Sequence, residues 1–81
     1  MLCSLATLTL RTRAQVISVT APVHSPEWAN WLEEIGFVPG ETVEITALAK
    51  PANDPVVVRV GMSSFAIRLA EAQCVIVETE G

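Results

Sequence analysis

The sequence predicts a mainly β fold, a small curled barrel of about five short strands with one inserted α-helix over about residues 26–35. Three observations carry this. Short runs rich in β-branched residues recur along the chain, each bounded by Pro, Gly, Asn or Asp. One segment alone carries helix punctuation at both ends. Finally, 81 residues are too few to cover an open sheet with a layer of helices, so strands in this number favour a sheet that curls on itself.

Residues 14–20, AQVISVT, form the first predicted strand, which stops at Ala21 and Pro22. Leu8 and Leu10 before it pack under the sheet or extend it, and residues 1–7 read as a frayed start to one domain spanning 1–81. The helix is SPEWANWLEEIGF, 25–37, with Ser25 as N-cap, Pro26 in the first helical position and Gly36 just past the last turn. At about 100° per residue, Trp28, Trp31, Leu32 and Ile35 share one arc, and Glu27, Asn30, Glu33 and Glu34 take the rest. Phe37 is placed to fold back on Leu32, the contact that accompanies a Schellman ending.

After Val38-Pro39-Gly40, residues 41–49 alternate Val43, Ile45 and Ala47 with Thr42, Glu44, Thr46 and Leu48. That is the period of a half-buried strand, with Leu48 on its outward register. KPANDP, 50–55, supplies a hairpin loop and residues 56–61 return as a strand. A turn at 61–64 leads to FAIRL, where Phe65, Ile67 and Leu69 share a face. Ala70, Glu71 and Ala72 suit one helical turn, and residues 74–78 close as the last strand.

Charge excludes several functions. The chain carries 5 Lys+Arg and 9 Asp+Glu for a net charge of −4, and Lys50, Arg59 and Arg68 stand singly, so phosphate-backbone binding lacks its basic cluster and nucleic acid is not an expected partner. The acid-free start resembles a targeting segment, but Arg11 and Arg13 follow its apolar run where a secretory signal has its charge first. A transit peptide would consume the first strand. No apolar stretch reaches the roughly 20 residues of a membrane helix. Two cysteines make no disulfide framework, and Cys3 and Cys74 read as reduced thiols of a cytoplasmic protein.

Enzyme chemistry is largely excluded by count. A single histidine forbids two-His metal motifs, and neither phosphate-cradling glycine pattern occurs. Cys74 in a β-run reads as a small buried apolar residue. His24 and Glu27 flank the helix start and can approach one divalent ion, but two ligands leave a tetrahedral site open, so Glu33, Glu34, a loop carboxylate or a second copy would have to complete it. The competing reading is an exposed imidazole beside a helix whose dipole Glu27 complements. Trp28, Leu32 and Ile35 are the natural core trio. Trp31 lies at the rim of the arc between Glu27 and Glu34 and is the first candidate for partner binding, with Leu48 beside it as an outward apolar residue. Arg68 and Glu71 suit a local ion pair.

The strings EIGFVPGETVEI (34–45), DPVVVRVG (54–61) and FAIRLAEAQCVIVE (65–78) resemble the FeoA family. The likeness covers about residues 8–80 and rests on Leu32, Gly36, Phe37, Pro39, Gly40, Val43, Ile45, Arg68, Glu71 and Ala72. It implies an SH3-like barrel and a non-enzymatic adaptor of ferrous-iron uptake. Such an adaptor binds the cytosolic GTPase portion of the membrane transporter FeoB and needs no cofactor of its own. One departure is Arg11-Thr12-Arg13, where the family tends to have a glycine before the first strand. Iron- and manganese-dependent repressors end in the same SH3-like domain, but they carry DNA-binding and dimerisation domains that 81 residues do not accommodate. The alternative function is a metal-responsive module in which a divalent ion at His24 and Glu27 joins two copies as a homodimer. A binder of proline-rich peptides is disfavoured by the absence of Tyr.

Overall fold

The computed structural model describes residues 1–49 and 52–79. In chain order it contains β1 (Leu2–Ser4), a 3-10 turn (Leu5–Thr7), β2 (Arg13–Val19), α1 (Glu27–Glu34), β3 (Thr42–Leu48), β4 (Val56–Val60), β5 (Ser63–Ile67), the one-turn helix α2 (Leu69–Ala72) and β6 (Val75–Glu78). The strands form one antiparallel sheet in the order β1-β6-β2-β3-β4-β5. Val16, Val43, Ile45, Val58, Ile67, Val75 and Val77 come from five of these strands and meet in one buried cluster. A flat sheet with a single helix could not bury them all, so the sheet curls around them, as the short alternating runs require. Register shifts between Val16 and Ser18 and between Ile45 and Ala47 add the bulges that bend such a sheet.

The first seven residues are not frayed. Leu2–Ser4 pair with β6 in the register Leu2↔Glu78, Cys3↔Val77 and Ser4↔Ile76, and Leu5 is fully buried. The sheet therefore has six strands rather than about five. Three residues are too short to show a strand period, which is why sequence alone missed β1. Leu8 packs against the core as expected, whereas Leu10 is exposed. Arg11 takes a left-handed backbone (φ 70) with its N–H donated to the Ile45 carbonyl at 2.7 Å. The resemblance implies a glycine here, and the conformation is the one glycine adopts without strain.

Other boundaries shift with physical cause. The second turn is only Gly61 and Met62, with Gly61 at φ 59, so β5 starts at Ser63 rather than Phe65. Ser25 does not cap α1 through its side chain; its carbonyl accepts the Trp28 N–H at 3.1 Å, and Pro26 occupies the cap position. The predicted hairpin loop at 50–55 lies in part outside the described residues. Leu48 does not face outward. The bulge between Ile45 and Ala47 reverses the alternation, so Ala47 is exposed opposite Val57, and Leu48 pairs with Val56 and packs on the core.

Cys74 is buried, as a small apolar residue should be, and its Sγ lies 3.7 Å from the Ala70 carbonyl. Burial, with a smaller contribution from the Glu71 charge, pushes its thiol above the ordinary cysteine value of 9.0. The folded state thus holds this proton more tightly than the unfolded chain does. The linked stability is fully present below the unfolded-state value and is lost as pH rises through the alkaline range. Denaturant midpoints are expected to fall above about pH 9 in the parent and to fall less in Cys74→Ala. An equal fall in both would remove Cys74 as the cause.

Candidate functional site

Helix α1 and its exit form the region that the sequence marks for recognition. The helix ends in a complete Schellman arrangement: the Phe37 N–H donates to the Leu32 carbonyl at 3.0 Å and the Gly36 N–H to the Glu33 carbonyl at 3.1 Å. Gly36 supplies the positive φ of 123°, and Leu32 and Phe37 are both fully buried. Trp28 and Ile35 pack on the core from the same side. Immediately afterwards, Pro39 and Gly40 form the middle of a turn closed by the Glu41 N–H on the Val38 carbonyl at 3.1 Å, with Gly40 at φ 94. Pro followed by a positive-φ Gly is the type II signature. Gly40 N–H then donates to Val16 O, and Val16 N–H to Glu41 O, both at 2.8 Å, which ties the turn to β2.

The helix is thereby held with one face inward, and this fixes what it shows to solvent. Trp31 is 40% exposed although its neighbour Leu32 is fully buried. Glu27 and Glu34, four before and three after Trp31, are exposed on the same helix, as is Glu33. Val38, just past the helix exit, is also partly exposed; sequence analysis did not select it, because an apolar residue beside a turn carries no period. Leu48 is withdrawn from this surface by the β3 bulge. The exposed face of α1 therefore carries Trp31 with an acidic rim rather than a Trp and Leu pair.

His24 and Glu27 are both exposed on either side of Pro26. Among the described residues no three His, Cys, Asp or Glu side chains gather where they could hold a metal ion. Among the described residues of one copy, then, the four ligands of a closed zinc site are not brought together.

Arg68 and Glu71 do not pair with each other through their charges. Glu71 Oε1 accepts the Arg68 backbone N–H at 2.7 Å, closing the start of α2, while the Arg68 Nε reaches Asp54 Oδ1 at 3.4 Å. The same Asp54 oxygen accepts the Leu69 N–H at 2.9 Å. In the sequence Asp54 is only a loop residue, and its tie to a segment fifteen positions on has no local sequence signal. In the middle of the sheet order, Arg13 Nε meets Glu44 Oε1 at 3.5 Å, directly across β2 and β3. Gly36, Phe37, Pro39, Gly40, Arg68 and Glu71 thus all act in forming turns and helix ends.

Comparison with known proteins decides the family. The FeoA domain model matches residues 3–79. The chain belongs to the FeoA domain family. FeoA from Stenotrophomonas maltophilia is 39% identical and superposes with a TM-score of 0.84 over 93% of this chain and 88% of that one. That protein was crystallised with zinc and is described as an SH3 domain protein proposed to act as a bacterial ferrous iron transport activating factor. Iron(II) transport protein A from Clostridium thermocellum is 32% identical, with a TM-score of 0.79 over 96% of this chain and 46% of that one. A manganese-dependent transcriptional repressor shares the fold alone, at 15% identity and a TM-score of 0.81 over 96% of this chain and 41% of that one. No curated protein sequence matches the chain. In this FeoA-family chain the barrel expected from the resemblance is present, mainly β and SH3-like. Among the described residues no helix is long and apolar enough to cross a membrane.

Proposed function

We propose that this chain is a non-enzymatic, cytoplasmic accessory protein of ferrous-iron uptake that binds the cytosolic GTPase portion of a FeoB-type transporter and modulates its transport. Family membership supports the process, and the half-exposed Trp31 on a rigidly held helix supports the mode of action. A large aromatic between exposed Glu27 and Glu34 has the form of an interface anchor with a polar rim. Trp31→Ala is expected to weaken association with the transporter's cytosolic portion by about 2 kcal/mol or more, read by calorimetric titration, and to leave the melting temperature nearly unchanged. A large loss of stability with binding per folded molecule intact would make Trp31 part of the core instead.

The absence of a phosphate-cradling loop in the sequence supports the non-enzymatic reading. Purified chain is expected to show no GTP turnover and no duplex-DNA binding at physiological salt; turnover that follows the protein through further purification would remove the adaptor reading. The zinc bound by the Stenotrophomonas maltophilia relative supports a second reading, in which a divalent ion at His24 and Glu27 joins two copies. Zinc-dependent dimerisation in sedimentation, abolished by His24→Ala, would favour it; zinc-independent mass would discard it.

A further inference from the structure

β5 ends the sheet order and pairs only with β4. The hairpin between them turns on Gly61 and Met62, where Gly61 alone has a positive φ, which matches a two-residue type II′ loop. In such a loop the flanking residues, here Val60 and Ser63, exchange both backbone bonds. Along an antiparallel pair the bonded positions then alternate. Phe65 and Ile67 therefore bond to β4, while the N–H and C=O groups of Ser64 and Ala66 point to the free edge. Both residues are exposed, and among the described residues none of their four groups has a partner.

Natural edges are blunted by shortness, Lys, Pro or bulges. The other edge, β1, has only three residues. β5 has none of these protections: its five residues, SSFAI, contain no charge and no Pro, and its register with β4 is unbroken. Its outer face is small, with Ser64 and Ala66, and beyond Ser64 stands its direct partner Arg59 on β4. Arg59 is exposed and, among the described residues, has no ion-pair partner, since the neighbouring Glu44 is taken by Arg13. A strand added to β5 would lie about 10 Å from the Arg59 backbone, within reach of an arginine extended over the Ser64 side chain.

We infer that the β5 edge is a binding site for an extended peptide segment that adds as a seventh strand and places a carboxylate opposite Ser64, where Arg59 reaches it. A second copy of the chain fits less well. Two five-residue edges, each about 17 Å long, meet over far less than the about 800 Å² per partner of a stable dimer. Each copy also carries a net charge of −4, and β5 has no acid to offer Arg59 of the other copy. This site is separate from the α1 surface and does not depend on the reading given to Trp31.

The test uses the full chain and a capped peptide, Thr-Asp-Val-Asp-Val-Asp-Thr, against the same peptide with Lys for Asp, followed by NMR amide exchange and titration. Saturation with the Asp peptide is expected to slow exchange at the Ser64 and Ala66 amides at least tenfold, and the Lys peptide to bind at least tenfold more weakly. Arg59→Gln should close that gap, and Trp31→Ala should leave it unchanged. N-methylation of the three Asp amides in the peptide, which face β5 in this pairing, should lower affinity at least tenfold. Equal binding of the two peptides, or binding with unaltered exchange at both amides, would overturn the site. Protection without peptide that grows with protein concentration would give the edge to a second copy and overturn the peptide assignment.

Discussion

Leu32→Ala is expected to lower the unfolding free energy by about 2 to 5 kcal/mol. A domain of this length has a total stability of about 4 to 12 kcal/mol, so the variant stands close to unfolding at room temperature. Leu32 is fully buried and is the one residue of α1 that is. It holds the helix to the sheet beside Phe37, and its own carbonyl receives the Phe37 N–H. Truncation leaves a cavity that the Schellman ending prevents from collapsing, because Phe37 is fixed by its backbone bond as well as by packing. The contrast with the adjacent residue makes the test sharp. Trp31→Ala removes more atoms from the same helix, but from a side chain 40% exposed, and should move the denaturant midpoint far less. If Leu32→Ala unfolds like the parent, the helix is peripheral to the core.

What was legible in the sequence follows from whether a signal is local. Helix α1 could be read because Pro26, the apolar arc and Gly36 all lie within a dozen residues, and each has a separate physical role there. β2, β4 and β6 could be read as β-branched runs bounded by turn residues, and the structure shifts their ends by only a residue or so. β1 could not, since its three residues are defined by pairing with β6 more than seventy positions away. The outward placement of Leu48 failed for a related reason. A bulge is one extra residue in one strand, and ETVEITALA reads as uninterrupted alternation; only the pairing with Val56 and Val57 shows where the period slips.

The candidate site was legible to the same extent. Trp31, Glu27 and Glu34 sit on the face that helical spacing assigns to them, because nothing but the helix itself is needed to place them. Arg68 and Glu71 were paired by proximity in sequence, whereas Asp54 from the preceding hairpin takes the guanidinium and leaves Glu71 to close α2. The β5 edge was invisible because sequence shows a strand but not which of its sides remains unpaired.

Gly36 is the position where local conformation and long-range packing meet, and substitution there should be among the most damaging in the chain. Its φ of 123° is a backbone conformation that side chains with a Cβ rarely adopt, a strain of about 1 to 3 kcal/mol. A Cβ at this site would also stand 3.0 Å from Val60 Cγ1. Val60 is buried on β4 against the same core, so it can yield only by disturbing its neighbours, which adds about 1 to 3 kcal/mol. Gly36→Val is therefore expected to lose about 2 to 6 kcal/mol in all. Gly40 provides the control, since its φ is 94° but nothing lies within 4 Å of its Cβ position. Gly40→Ala should show the backbone strain alone, while Gly36→Ala should show the strain plus the contact. Combining Gly36→Ala with Val60→Ala should recover part of the second contribution, as a negative interaction energy in a double-mutant cycle measured by denaturant unfolding. Equal losses for Gly36→Ala and Gly40→Ala, with strictly additive behaviour against Val60→Ala, would show that the helix exit does not press on β4.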